Sequence, residues 1–228
     1  MAAEAFELSF QQKRMWSAAT SAPDFCTRCT VALSGELDVS ALRRALYEVV
    51  DHHEILHIIF PRGEGGPVQA VGPVTFDWNE DDLTHMPPAS REARLEEISQ
   101  IERRHTFDFE RGPLVRARLI ALTSQQYKLL LQMPSLCGDA ATLRIVFDEI
   151  ALRYAGEEKP PAADRFQYID CSAWQDELFE EQNAEADRGR RYWSDERTAN
   201  LALALPFERE ATADFELLSC SIAISAAS

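Results

Sequence analysis

The sequence predicts an α/β fold in which helices pack on a sheet built largely from hairpins. Three observations predict it. Short apolar runs of strand length alternate with longer segments whose apolar positions recur every three or four residues, the two periods of strand and helix. Two pairs of strand-like runs, 56–60 with 68–71 and 114–122 with 127–133, are joined by short turn segments, as hairpins require. Finally, residues 127–154 read as a buried strand, a short irregular loop and an amphipathic helix, the unit at whose loop such folds place their chemistry.

Residues 7–10 read as a short extended piece and 11–19 as a helix. Residues 25–33 form a strand that turns at Ser34-Gly35. Asp38 or Ser40 then caps a helix through about Asp51, with Leu42, Ala45, Leu46, Val49 and Val50 inward. The run 56–60 is strand-like, and the Gly-rich segment 61–67 turns it back into 68–71. Ser90 caps an acidic–basic helix to about Arg104. After the hairpin 114–133, Leu143, Val146, Phe147, Ile150, Ala151 and Tyr154 mark one helical face. Residues 156–164 form a Pro-rich linker, and 170 to about 198 a long charged helix with the solvated face usual for a surface element. A boundary falls near 199–215, giving a body over 1–198 and a tail over 199–228.

Composition excludes several function classes. With 46% hydrophobic and 27% charged residues the chain is globular rather than disordered. No apolar run approaches the ~20 residues of a membrane span, and the N-terminus lacks a basic-then-apolar secretory pattern. Five scattered cysteines (Cys26, Cys29, Cys137, Cys171 and Cys220) fit a reducing, cytoplasmic compartment. A net charge of −15 argues against nucleic acid as a partner.

The loop after residue 133 offers Pro134, Ser135, Cys137 and Asp139, but no histidine, so no side chain in it titrates near neutrality without a large shift. Asp139 sits just before a helix, where a carboxylate accepts a backbone N–H and faces the positive end of the dipole. Cys137 is a candidate nucleophile only if a base such as His52, His53 or His105 approaches it in space. Two other patterns have plainer readings. His53-Glu54-Ile55-Leu56-His57 satisfies HExxH, but a zinc site needs both histidines on one helix face. Here the helix ends near His53 and His57 should enter a strand, so no metal is expected. Cys26 and Cys29, three apart in a strand, point to opposite faces and read as ordinary thiols. Trp16, Trp174, Trp193 and Phe107 read as packing anchors.

Four blocks in order resemble the N-terminal lobe of a condensation domain from nonribosomal peptide synthetases, within the chloramphenicol acetyltransferase-like superfamily. Ser9-Phe10-Gln11-Gln12-Lys13-Arg14-Met15-Trp16 resembles SxAQxRLW. His52 through Phe60 resembles RHExLRTxF. Phe107-Asp108-Phe109, followed by Gly112-Pro113-Leu114 and Arg116, resembles FDLxxGPLxR. Tyr168-Ile169-Asp170-Cys171-Ser172-Ala173-Trp174 resembles YxDFAxW. The match covers roughly residues 5–210. It implies one lobe with a mixed, mostly antiparallel sheet, the tail 199–228 being a crossover toward the first strand of a second lobe. It also implies that the block around His53 packs against the active-site region.

A fifth block departs from the family. Where the family carries HHxxxDG, this chain carries Pro134-Ser135-Leu136-Cys137-Gly138-Asp139-Ala140. The resemblance places a base or positioning histidine at Ser135, and gives Asp139 a structural role, commonly paired with an arginine. A serine hydroxyl is no proton acceptor at neutral pH. Two function classes follow. One is a catalytically degenerate module that docks a carrier protein, holds an adenylation domain or recruits a tailoring enzyme. The other is a divergent condensing domain that joins carrier-tethered substrates without the histidine. In both, the implied 4′-phosphopantetheine belongs to a partner carrier protein, and no cofactor is bound directly.

Overall fold

A computed structural model of the chain describes residues 5–21, 25–157, 166–180 and 184–194. Its elements run β1 (Ala5–Glu7), α1 (Phe10–Ser21), β2 (Cys26–Ser34), α2 (Val39–His52), a 3-10 turn (Glu54–Leu56), β3 (Ile58–Ile59), β4 (Arg62–Gly63), β5 (Gly66–Val71), β6 (Asp77–Asp82), α3 (Pro88–Arg103), β7 (Arg116–Thr123), β8 (Gln126–Pro134), α4 (Ala140–Tyr154), α5 (Tyr168–Glu180) and α6 (Ala184–Ser194). The main sheet has the order β2-β8-β7-β6, antiparallel except for the parallel pair β6–β7, whose crossover is α3. A smaller antiparallel sheet sets β5 between β1 and β3.

The two faces of β8 carry different chemistry because side chains alternate across a strand. Leu129, Leu131 and Met133 share a face with Ala117 and Leu119 of β7, under α2 and α4. Leu42, Ala45, Leu46, Val49 and Val50 of α2 are all buried there, with Leu143, Val146 and Ile150 of α4. Gln132 lies on the opposite face, beside Arg116, its register partner on β7. There α3 supplies Ile98 and Glu102, four apart on its buried side. Glu102 is 1% exposed and receives Arg116 Nε (2.8 Å), Arg118 Nε (2.6 Å) and Gln132 Nε2 (2.9 Å). Burial pushes its carboxyl up, but the two guanidiniums more than offset that and hold it below the ordinary value. Arg116 also donates to Asp77 and Arg118 to Asp81, so β6 is fixed through its alternate acidic residues.

Several expectations are corrected. The strand proposed for 56–60 is only Ile58–Ile59, because His53 leaves the helix in an extended conformation and Glu54–Leu56 tighten into a 3-10 turn. The helix given to a Ser90 cap starts at Pro88, where a proline at the first helical position needs no N–H partner. The acidic stretch 77–82 is a strand, which its composition disguised. Ala151 and Tyr154 are exposed, so the apolar face of α4 is narrower than its periodicity implied. Over 170–198 the described residues are helical, in α5 and α6, and the helix begins at Tyr168 rather than Asp170. The linker 156–164 falls outside the described residues beyond Glu157, as do Cys220, the boundary at 199–215 and the tail 199–228. Trp174 and Trp193 are 52% and 76% exposed and do not act as anchors, whereas Trp16 packs on Phe60 and Phe109 at 5.6 Å each. Phe107 packs against the core half-buried, as expected. Among the described residues, no helix is long and apolar enough to cross a membrane.

Candidate functional site

The loop from Pro134 to Asp139 is shaped by groups that sequence pattern alone does not reveal. Pro134 is buried and pairs with Cys26, and Ser135 extends the pairing by donating its N–H to Phe25 O (3.3 Å). Thr27, next on β2, donates to Gly138 O at 2.8 Å and lies 3.4 Å from the Ser135 hydroxyl. Gly138 has no room for a side chain: an added Cβ would sit 2.7 Å from Thr142 Cγ2 and 3.0 Å from Met133 Sδ. The chain then enters α4 through a capping box. Asp139 Oδ1 accepts from Thr142 N (2.9 Å), and Thr142 Oγ1 accepts from Asp139 N (3.2 Å). Asp139 is therefore the expected N-cap. The arginine partner that the resemblance implied is not found: among the described residues no arginine pairs with this carboxylate. Ala140 is the exposed first residue of the helix.

Two other blocks close around this loop. Ser9 and Gln12 make a reciprocal cap at the start of α1, Ser9 N donating to Gln12 Oε1 (3.0 Å) and Gln12 N to Ser9 Oγ (3.2 Å). The buried Gln12 amide then donates to Leu136 O in the loop (3.4 Å), and Ser9 Oγ meets Tyr168 OH at 2.8 Å. Three segments far apart in sequence are thus joined by one chain of hydrogen bonds. The result is a cleft of about 230 Å³, lined on its loop side by Ser135, Cys137, Asp139 and Thr142, with Gln11, Met15, Ile55 and Tyr168 opposite.

Its titratable groups are Cys137, Asp139 and Tyr168, and each is pushed away from neutrality. Burial raises the Cys137 thiol, which is 3% exposed. Burial raises the Tyr168 phenol, with partial relief from Ser9. Hydrogen bonds from the Thr142 backbone and hydroxyl hold Asp139 below the usual carboxylate range. No histidine lines the cleft, so the base that a Cys137 nucleophile needs does not reach it. His53 Nε2 instead meets Glu149 Oε2 on α4 at 3.1 Å. His57 places Nδ1 at 3.0 Å from Gly72 O, so the two histidines of the HExxH string diverge.

The remaining predicted residues do not line the cleft. Arg14 is exposed, its guanidinium 6.0 Å from the Phe10 ring. Trp16 packs half-buried against the core. Asp170 accepts from Gln167 N (2.8 Å) and fixes the start of α5, while Trp174 is on the surface. Cys26 and Cys29 are half-buried free thiols on β2. Sequence reasoning missed Thr27, whose role is set by pairing across the sheet, and named Ile55 only within a block, its place in the cleft being set by the unexpected 3-10 turn. It also passed over Thr142, although Asp139-x-x-Thr142 is a cap spacing, and named Gln12 only within a block, without the Ser9-x-x-Gln12 cap.

Comparison with known proteins bears on the chain as a whole. The family model for the condensation domain matches residues 2–227. The chain belongs to the condensation-domain family. It is 32% identical over 212 residues to a component of the linear gramicidin synthase of Brevibacillus parabrevis, a match covering 89% of this chain and 3% of that protein. It is likewise 32% identical over 183 residues to a dimodular nonribosomal peptide synthase of Bacillus subtilis (strain 168), covering 77% and 8%. This condensation-family chain therefore spans less than a tenth of those relatives. Among solved structures, the starter condensation domain of the rhizomide synthetase RzmA superposes with a TM-score of 0.75 at 18% identity, over 88% of this chain and 49% of that one. The epimerization domain from the third module of tyrocidine synthetase B gives 0.75 at 24% identity, over 94% and 48%. The fold is that of one lobe of a condensation domain, as expected.

Proposed function

We propose that this chain is a catalytically degenerate condensation lobe that serves peptide natural product biosynthesis as a binding or architectural module. The observation that carries the reading is the cleft: its three ionisable side chains are all displaced from neutral pH, and Ser135 stands where the family's histidine is expected. Asp139 stays ionised at neutral pH but is too weak a base to take a proton from an amine. A positioned general base contributes about 10²–10⁴-fold, or roughly 3–5 kcal/mol of barrier, and the described lining of the cleft offers no group suited to supply it.

Its partners are the carrier and adenylation domains of the same or a neighbouring synthetase, or a tailoring enzyme drawn to a carrier-bound amino acid. The slender 4′-phosphopantetheine arm of a carrier is the ligand that the cleft suits, with the Gln11 amide at the exposed mouth and Met15 and Ile55 as an apolar wall. The test uses the complete synthetase with loaded carriers and follows product formation in wild type, Ser135→Ala and Ser135→His. It adds a deletion of residues 1–198. A module gives equal product in both point variants and loses product on deletion. A sharp fall in Ser135→Ala alone establishes the divergent condensing enzyme instead.

A further inference from the structure

One group of three metal-ligating side chains comes together among the described residues, and it lies outside the cleft. His52 and His53, at the end of α2, and Glu149, on α4, bring one ligand atom each to within 4.8 Å of one another. Their rings and carboxylate are half-buried, the side chains of His53 and Glu149 being 23% and 20% exposed. We propose that His52, His53 and Glu149 bind a divalent cation of the zinc class and so tie the end of α2 to the middle of α4.

The donor set fits that class. Two imidazoles and one carboxylate are borderline ligands that zinc, nickel and cobalt accept, and that calcium and magnesium, which require oxygen, do not. The distances fit as well. A tetrahedral ion with bonds of about 2.0–2.1 Å needs its ligand atoms roughly 3.3 Å apart. The His53 Nε2 to Glu149 Oε2 distance of 3.1 Å already meets this. The His52 ring, 5.0 Å from that of His53 and nearly perpendicular to it, has only a short swing to make. Three protein ligands leave a fourth position for water, and partial exposure gives access to it.

The surroundings favour a cation. His52 ends α2, where the helix presents the negative end of its dipole. The backbone between the histidines and the 3-10 turn is held from outside by Gln167, whose Nε2 donates to His52 O and whose Oε1 accepts from Glu54 N, both at 3.3 Å. Among the described residues Arg153 opposes the ion: its Nη1 lies 2.8 Å from the same Glu149 oxygen that His53 meets. That opposition makes the proposal testable, because removing a competing cation should improve the site.

The site matters to the cleft through Ile55, which lines it three residues beyond His52. A bound ion would fix that wall against α4, whatever the cleft itself does.

The experiment titrates ZnCl₂ into the reduced, EDTA-dialysed chain by calorimetry, and records the visible spectrum of the Co²⁺ form. One ion per chain is expected. Affinity should fall at least about tenfold in His53→Ala and in Glu149→Gln, and rise in Arg153→Gln. The Co²⁺ spectrum should lack a thiolate charge-transfer band. The Arg153→Gln arm is a gain of affinity, which misfolding cannot imitate. The proposal is overturned by absence of binding, by affinity unchanged in His53→Ala and Glu149→Gln, by affinity unimproved in Arg153→Gln, or by a thiolate band that disappears in Cys26→Ser.

Discussion

Replacing Glu102 with alanine should be the most damaging single substitution on the outer face of the main sheet. Glu102 is 1% exposed on α3 and accepts from Arg116, Arg118 and Gln132. Breaking a buried ion pair by removing one partner costs about 3–5 kcal/mol, because the other charge is left buried without compensation. Here the arginines keep Asp77 and Asp81, which places the expected loss near the lower end, about 3 kcal/mol. Urea denaturation followed by circular dichroism measures it, with an unchanged m-value showing that stability, not the surface exposed on unfolding, has changed. The pH dependence carries its own sign. A carboxyl depressed in the folded state contributes stability that is complete above its ordinary value of 4.5 and lost as pH falls through the folded value. The wild type should therefore lose stability below about pH 4.5, and Glu102→Gln should lose less over that interval. A loss under about 1 kcal/mol in Glu102→Ala, the size of a surface ion pair, would refute the claim that this network holds α3 to the sheet.

Asp139→Ala should lower Tm in a thermal melt while Asp139→Asn leaves it nearly unchanged, since asparagine caps a helix as well as aspartate. Equal losses in the two would show that charge, not the cap, is what matters. Among the described thiols, Cys137 should react last with iodoacetamide under native conditions, because it is buried and burial keeps it protonated, whereas Cys26, Cys29 and Cys171 are half-buried. Mass mapping that finds Cys137 labelled first would reopen it as a nucleophile.

The parts of the fold set by local pattern were legible in the chain. α2 shows all five of its inward residues at helical spacing, and the β7–β8 hairpin and the Asp139 cap follow from short-range rules. β6 was not legible, because Asp77 and Asp81 suit a strand only once Arg116 and Arg118 stand beside them. The end of α2 was read correctly, but the segment after it was misjudged for a related reason. The run from Leu56 to Phe60 looks uniformly apolar, yet the 3-10 turn and the Gly72 contact of His57 decide its backbone. For the site, the loop was found from strand–loop–helix order, and its lack of a histidine from residue type. The pairing of Tyr168 with Ser9, and of Gln12 with Leu136, is tertiary, spanning more than a hundred residues each. The sequence blocks named those residues without showing that they touch.

The central claim is that the Ser135 cleft holds no group able to take a proton during amide formation. Its most direct test is the single-turnover rate of amide formation in the complete synthetase, with both carriers loaded, in wild type and in Ser135→Ala. Rates equal within about twofold are expected. A fall of about 10²–10⁴-fold, the contribution of a positioned base, would contradict the account.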